Sequence, residues 1–347
     1  MESYNLNDRE KAILRNVIHQ FILTASPVGS RNIAKKYDLG LSPATIRNIM
    51  ADLEETGFLG HPHTSAGRIP TDKGYRLYVD SLMEITELAD EQKQIISSGY
   101  ENAITETEEL LRMTSFLLSD ITNQLACVTF PRFSSAILEK IQLVQLSSIR
   151  ILVVLSIRSG LVKTITMELE NEMAKENLEA IQQLLNERLT NLTFSEIKTT
   201  FQERIKDVSF DKYKPIIRFF IDSADKIFSD VSYSDKAFIT GAKNILKQPG
   251  FDDLSNFQSI IELIENKDVI VHIMDSKRQK SGSFTVSIGS ENQIELFSNY
   301  SFITKDYKIG DTVGILGVIG PKRMEYSKSI AAIIYIAESL SSELKRI

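Results

Sequence analysis

Residues 38–50 read DLGLSPATIRNIM, and three marks in that run set the reading of the sequence on either side. Gly40 stands where a helix ends on a residue of positive φ. Ser42 is a favoured helix N-cap, and Pro43 suits the first helical position, where a backbone N–H has no partner anyway. Ile46, Ile49, Met50 and Leu53 follow at i, i+3, i+4 and i+7, one buried stripe of a helix that ends at Gly57. Upstream, Leu14, Val17, Ile18 and Phe21 mark an earlier helix, opened by Asn7 and Glu10 in the pattern of a capping box. SPVGS is a turn, after which Ser30 caps a short helix with Ile33, Ala34 and Tyr37 facing in. Three helices, the last two joined by a tight turn, predict a helix-turn-helix. Downstream, Phe58-Leu59-Gly60 is a short strand, HPHTSAGRIP a turn-rich loop, and Thr71 the cap of the helix TDKGYRLYVDSLMEI. Strand, loop and return have the plan of a wing.

With its apolar stripe inside, the third helix turns Ala44, Thr45, Arg47 and Asn48 outward, all in its first two turns. Those turns enter the major groove in helix-turn-helix proteins. Arginine can take guanine O6 and N7 together, asparagine adenine N6 and N7, and alanine or a threonine methyl can meet a thymine methyl. Ser42, at the helix start, is placed for phosphate. In the loop, His63 and Arg68 stand among Ser65, Ala66 and Gly67, small residues that let backbone approach closely, and no acidic side chain lies between Gly60 and Thr71. A solvated polar helix face would show the same residues, so this helix alone leaves both readings open.

The chain has 347 residues, more than one ordinary core organises, so two or three domains are expected. Its 42% hydrophobic and 25% charged residues are those of a globular protein. Net charge is −6, but residues 1–80 hold 10 Lys+Arg against 9 Asp+Glu, and the rest 30 against 37. The segment with the exposed Arg-Asn pair is the one that is not acidic. The lone Cys127 excludes an internal disulfide and a cysteine-based metal site. No apolar run approaches the roughly 18 residues of a membrane helix, and the N-terminus lacks an apolar signal region. A cytoplasmic protein with no membrane partner is expected.

Past Glu84 the pattern changes. Ile96, Tyr100, Ala103, Thr107, Leu110, Thr114, Leu117 and Ile121 step by alternating 4 and 3, a heptad register with two threonines and an alanine in it. This predicts a helical connector over 86–125, which either pairs with a partner or lies on its own domain. Strand signal begins at Ala136, with AILEKIQ, SIRILVVLSI and LVKTITMEL. Residues 173–188 read as helix. From Thr193 to Gln248 the pattern is helical, including DKAFITGAKNILK, and β signal returns at KDVIVHIMD, GSFTVSIGS, IELFSNYSFITKDY and DTVGILGVIGP before a last helix. The expected fold class is α+β multidomain: residues 1–85, then the connector, then an α/β domain in two parts, 126–192 and 251–347, interrupted by a helical insert over 193–250.

Enzymatic signatures are weak. Gly314, Gly317 and Gly320 give G-x-x-G-x-x-G, but Pro321 follows in place of Lys-Ser/Thr, so glycines in a closely packed strand are the better reading than a phosphate loop. His61 and His63 form H-x-H with no carboxylate in the loop, and His19 is on another helix. No nucleophile–base constellation stands out. We expect no catalytic residue, no metal and no cofactor.

Four segments together resemble the HrcA family of bacterial heat-shock repressors: LSPATIRN at 41–48, DLEE with TG at 52–57, PHTSAGRIPTDKGYRLYVD at 62–80 and YKIGDTVGILGVIGPKRMEYS at 307–327. The two long motifs are specific, and they cover both ends of the chain. The resemblance implies an N-terminal winged-helix domain, a GAF-like domain split in sequence, and a dimerisation domain inserted into it. It implies repression of chaperone operons by a homodimer on double-stranded DNA, at an inverted-repeat operator called CIRCE, with release on heat shock and activity modulated by the GroE chaperonin. The DNA-contact positions carried over are Ser42, Ala44, Thr45, Arg47 and Asn48 in the helix, and His63, Ser65, Gly67 and Arg68 in the wing. One position departs: related sequences often have an acidic residue after the Arg-Asn pair, where this chain has Ile49. The competing readings are a regulator whose GAF-like domain senses a small metabolite, and a winged helix that binds protein.

Overall fold

The computed structural model describes residues 6–62, 67–101, 106–169, 172, 175–206, 214–229, 237–248, 261–262, 264–276 and 284–346. Helices α1 (Asp8–Thr24), α2 (Ser30–Lys36) and α3 (Pro43–Glu55) close over a core of Ile13, Leu14, Val17, Ile18, Ile33, Ile46, Met50 and Leu53. The capping box is formed: Asn7 Oδ1 accepts from the Arg9 and Glu10 amides at 3.0 Å, and the Asn7 amide donates to Glu10 Oε2 at 2.8 Å. Gly40 has φ +62°, as the turn between α2 and α3 requires. The cap of α2 is Gly29, with Ser30 already helical. Strands β1 (Leu59–Gly60) and β2 (Ile69–Pro70) pair antiparallel, and Thr71 Oγ1 accepts the Gly74 amide at the start of α4 (Asp72–Leu77). α4 runs directly into one π-helical turn over Tyr78–Leu82.

Helices α5 (Asp90–Glu101) and α6 (Thr107–Thr122) occupy the connector. Ile96, Tyr100, Leu110, Thr114, Leu117 and Ile121 are all buried within this chain, and the Tyr100 and Thr114 hydroxyls share a hydrogen bond of 2.9 Å. The heptad spacing therefore reports packing of the connector on its own sheet. It does not supply an open seam for a second chain. Ala103 lies outside the described residues.

β3 (Leu125–Thr129) enters a five-stranded sheet. The chain then forms a second sheet from β4 (Leu138–Gln145), β5 (Arg150–Ile157) and β6 (Val162–Glu168), antiparallel in chain order. Among the described residues four helices follow: α7 (Lys175–Leu189), α8 (Phe194–Ile205), α9 (Lys214–Asp222) and α10 (Ala224–Phe228). The chain returns at β7 (Ala237–Thr240), then α11 (Ala242–Leu246), α12 (Lys267–Ser276), β8 (Thr285–Ile288), β9 (Tyr300–Ile309), β10 (Thr312–Pro321) and α13 (Tyr326–Glu343). The larger sheet has the order β7-β3-β10-β9-β8, with every pair antiparallel.

Three expectations change. KDVIVHIMD is a helix: Ile270, Val271, Ile273 and Met274 are buried, a helical stripe that an apolar run of this length does not distinguish from a strand. AFIT in the segment expected to be helical is strand β7, because it pairs along the edge of β3, Cys127 opposite Ile239. The sheet pairings also run across the expected spans. β4, β5 and β6 do not join the sheet of β3, so in pairing terms the excursion from that sheet begins after Thr129 and ends at Ala237, not at 193–250.

Both faces of the five-stranded sheet are covered, which is why β3 is buried at every residue. Leu125 and Cys127 pack with Ile270, Met274, Phe302 and Ile315, while Ala126 and Val128 belong to the core with Leu316, Ile330 and Ile333 of the opposite side. The glycines of β10 serve this packing: a Cβ at Gly314 would overlap the Tyr307 ring, and one at Gly317 would lie 2.6 Å from the Met274 methyl. Among the described residues, the smaller sheet is covered on one face only. Ile141, Val153, Leu155 and Met167 are buried, and the buried Lys163 Nζ donates to the Ile227 carbonyl at 2.9 Å, anchoring α10. No helix among the described residues is long and apolar enough to cross a membrane.

Cys127 offers a direct check on this core. It is fully buried between β7 and β10, and burial pushes its thiol up to about 12. The native protein should be inert to Ellman's reagent at pH 8 and take up one equivalent after guanidinium unfolding. Reaction of the native chain at the unfolded rate would show that β3 is not central.

Candidate nucleic-acid interface

The first turns of α3 are built as a display surface. Ile46, Met50 and Leu53 hold the helix to the core, and Ser42, Ala44, Thr45, Arg47 and Asn48 are all exposed. Among the described residues, no hydrogen bond or ion pair engages the Arg47 or Asn48 side chain. Their polar atoms are free for an external ligand. Ile49 lies half-buried against the core, so the absence of an acid there removes charge beside Arg47 without opening a hole. Ser42 Oγ accepts the Thr45 amide at 3.1 Å and shares a 2.9 Å contact with its hydroxyl, while Ile46 bonds the Ser42 carbonyl. Pro43 has no N–H. Phosphate contact at this helix start therefore rests on the Ser42 hydroxyl and the Ala44 amide, a narrower offer than the residue types suggest.

The wing positions divide. His63 and Ser65 lie outside the described residues. Gly67 and Arg68 form the base of the loop, where Arg68 and Val28 exchange two backbone hydrogen bonds, 2.8 and 2.9 Å. A Cβ at Gly67 would lie 2.6 Å from the Val28 carbonyl carbon and oxygen. Glycine at this position is explained by packing within the chain. The Arg68 guanidinium turns inward, with Nη2 2.6 Å from Glu54 Oε2, and the other Glu54 oxygen holds the His61 ring. Arg68 thus braces the loop against the far end of α3. His61 of the H-x-H pair is held by the same carboxylate, and His19 shares a 2.9 Å hydrogen bond with the Tyr37 hydroxyl.

The sequence reading passed over a third group. Asp72 and Arg76 of α4 face the larger sheet. Lys322 Nζ donates to Asp72 Oδ1 at 2.7 Å and the Ser290 amide to Asp72 Oδ2 at 2.9 Å. Arg76 donates Nε–H to Glu291 Oε1 and Nη2–H to the Val286 carbonyl, both at 2.8 Å. Burial alone would raise the Asp72 carboxyl, but the bonds from Lys322 and Ser290 outweigh it and hold it below the ordinary value. The sequence signal for Asp72, Arg76 and Lys322 is their place inside the segments 62–80 and 307–327, while Ser290 and Glu291 lie in neither. Beside them, a cleft of about 660 Å³ separates α1 from the start of α13. Its wall carries Arg15 and Lys328 but also Glu84 and Glu325, so it presents no single charge to a ligand.

The class these features define is a mixed helix-and-sheet protein with an exposed Ala-Thr-Arg-Asn helix face at its N-terminal end. The HrcA protein C-terminal domain family model matches residues 108–330. The heat-inducible transcription repressor HrcA of Chlorobium phaeobacteroides (strain BS1) is 39% identical over 99% of this chain and 100% of its own. That of Prosthecochloris aestuarii is 40% identical over 99% and 98%. A crystal structure described as a hypothetical protein at 2.2 Å resolution covers 99% of both chains at 23% identity with a TM-score of 0.59, a likeness of fold. The chain belongs to the HrcA family of heat-inducible transcription repressors.

Proposed function

We propose that this protein represses heat-shock (chaperone) operons by binding a CIRCE-type inverted repeat as a homodimer, and that it releases the operator on heat shock. The observation that carries this is the exposed Ala44-Thr45-Arg47-Asn48 face, whose Arg47 and Asn48 side chains have no partner among the described residues, on a protein whose full-length relatives bear the repressor name. In this reading α1–α3 with β1 and β2 form a winged helix-turn-helix. The five-stranded sheet with helices on both faces is the GAF-like domain, and the three-stranded sheet with α7–α10 is the inserted dimerisation domain.

An inverted repeat asks for a two-fold protein. The surface best suited to form it is the face of the smaller sheet that the described residues leave uncovered. There Val144, Leu152 and Thr166 stand side by side, as do Gln142, Val154 and Thr164, with Val144, Leu146 and Val162 44–57% exposed. Covering such a face excludes apolar surface from water. Heat acts on this arrangement through loss of packing: once the two readers lose their fixed relation, each alone binds weakly. ILVVLSI, buried along one face as β5 in the folded chain, is the kind of apolar β-prone run that a chaperonin of the GroE type holds when the chain is misfolded.

Fluorescence anisotropy against an inverted-repeat duplex and a scrambled one, at two salt concentrations, tests the core of this. Preference for the repeat by about a thousandfold or more is expected. Equal weak binding to both by folded protein would reject operator reading. In a reconstituted transcription assay, repression should rise with added chaperonin and ATP, and an unchanged active fraction would remove the chaperonin from the mechanism.

A further inference from the structure

The two long motifs that carry the family resemblance, 62–80 and 307–327, lie 250 residues apart at Asp72 and Lys322 yet meet in the fold. Asp72–Lys322 joins the motifs themselves, and three sets of contacts hold the segment 72–86 to the larger sheet and the start of α13. Asp72 takes Lys322 and the Ser290 amide on its two oxygens. Arg76 takes both oxygens of Glu291 and the Val286 carbonyl. Farther along, Ser327 Oγ donates to the Glu84 carbonyl at 2.6 Å and accepts the Thr86 amide at 3.0 Å. Between the first two, Tyr75 packs on Tyr326 with ring centroids 6.0 Å apart.

The partners are fixed from their own side. Glu291 Oε2 also accepts the Ile288 amide at 2.9 Å, and Gly289, at φ +54°, leaves the space that the Asp72 carboxylate fills. An isolated surface ion pair contributes little. A guanidinium held by a carboxylate fork and a carbonyl, with its partner fixed by backbone, sets a direction as well as a distance. α4 follows β2 after one residue, and Tyr75 of α4 shares a core with Ile46, Met50 and Leu53 of α3, so whatever fixes α4 fixes the helix that displays Arg47 and Asn48.

We propose that Asp72 and Arg76 are positioning residues that lock the DNA-reading helices onto the larger sheet and thereby set the half-site spacing the dimer accepts. This rests on the inverted-repeat reading given above. Two rigidly held readers gain from acting together only where the half-sites lie at the matching distance and on the same side of the duplex. Freed readers on the chain from Tyr78 to Thr86 would tolerate other spacings and bind the native one less tightly.

The test compares three duplexes: the inverted repeat, the same repeat with 5 bp inserted at its centre, and a single half-site. The insert turns one half-site through about half a helical turn. The native protein should lose roughly 100-fold in affinity on the insert. Asp72→Asn/Arg76→Gln, and from the opposite side Glu291→Gln/Lys322→Gln, should lose less than about tenfold, with single half-site affinity unchanged. Inert Cys127 reports that each variant is folded. Variants that reject the insert as the native protein does would overturn the inference, and so would variants that bind the native repeat more tightly, since the contact would then be inhibitory. A native protein indifferent to the insert would reject the inverted-repeat reading itself and this inference with it.

Discussion

Arg47→Ala should abolish most of the preference for the inverted repeat while leaving the fold intact. A bidentate arginine–guanine pair contributes about 1–3 kcal/mol of discrimination. A homodimer loses it at both half-sites, so the expected loss is about 2–6 kcal/mol, from roughly 30-fold to more than about 10,000-fold. Thermal stability should not change measurably, because the side chain is exposed and no described residue pairs with it. Binding to scrambled duplex should fall only a few-fold. The alternative role is a phosphate contact. In that case Arg47→Ala would weaken all sequences alike and lower the salt slope by about one per half-site. Asn48→Ala provides the second axis and should relax preference at an adenine, not at the guanine. Arg68→Ala is expected to behave differently from both. Its guanidinium is committed to Glu54, so its loss loosens the loop and lowers affinity without altering base preference.

The contrast between Arg47 and Arg68 shows what the sequence could reveal. The exposure of Arg47 on the first turns of α3 follows from signals within a few residues: Gly40, Ser42, Pro43 and a stripe at helical spacing. All are local, and the structure has all of them. Arg68 stands among small residues in a loop free of acids, and local reasoning turned it outward. Glu54 is 14 residues away, and nothing between the two announces the pairing. The same limit governs the sheets. AILEKIQ reads correctly as strand, but its partner is β5, while β3, a few residues upstream, pairs with β10 nearly 200 residues on. Strand character is written in residue type, but strand partner is not. KDVIVHIMD failed for another reason. β-branched residues favour strands on average, yet here one helical face of the run fits the sheet, and tertiary burial overrides propensity. The motif around Asp72 and Arg76 was legible as a pattern and silent as to use, since its partners lie more than 200 residues away.

Leu152→Asp should convert the protein to a folded monomer that binds the inverted repeat weakly. Leu152 is central on the outer face of β5, between Val144 and Thr166, while its neighbours Ile151 and Val153 point into the chain's own core. A carboxylate there faces water in the monomer, so the cost to folding is expected to stay within about 1 kcal/mol, the span of strand propensity. In a dimer the same carboxylate would be buried against the partner's copy of this face, among valine, leucine and threonine side chains, with Arg150 already standing opposite Glu168 at its edge. That costs several kcal/mol per ion, and two-fold symmetry doubles it. Light scattering should therefore give the monomer mass, with Cys127 still unreactive to thiol reagent. Operator affinity should drop by roughly 100- to 10,000-fold through loss of the joined second reader, while affinity for a single half-site holds. A variant that remains dimeric would move the interface to another surface, with the faces of α8 and α9 next in order. A monomer that keeps full affinity for the repeat would separate repression from dimerisation altogether, because one winged helix cannot occupy both half-sites of an inverted repeat.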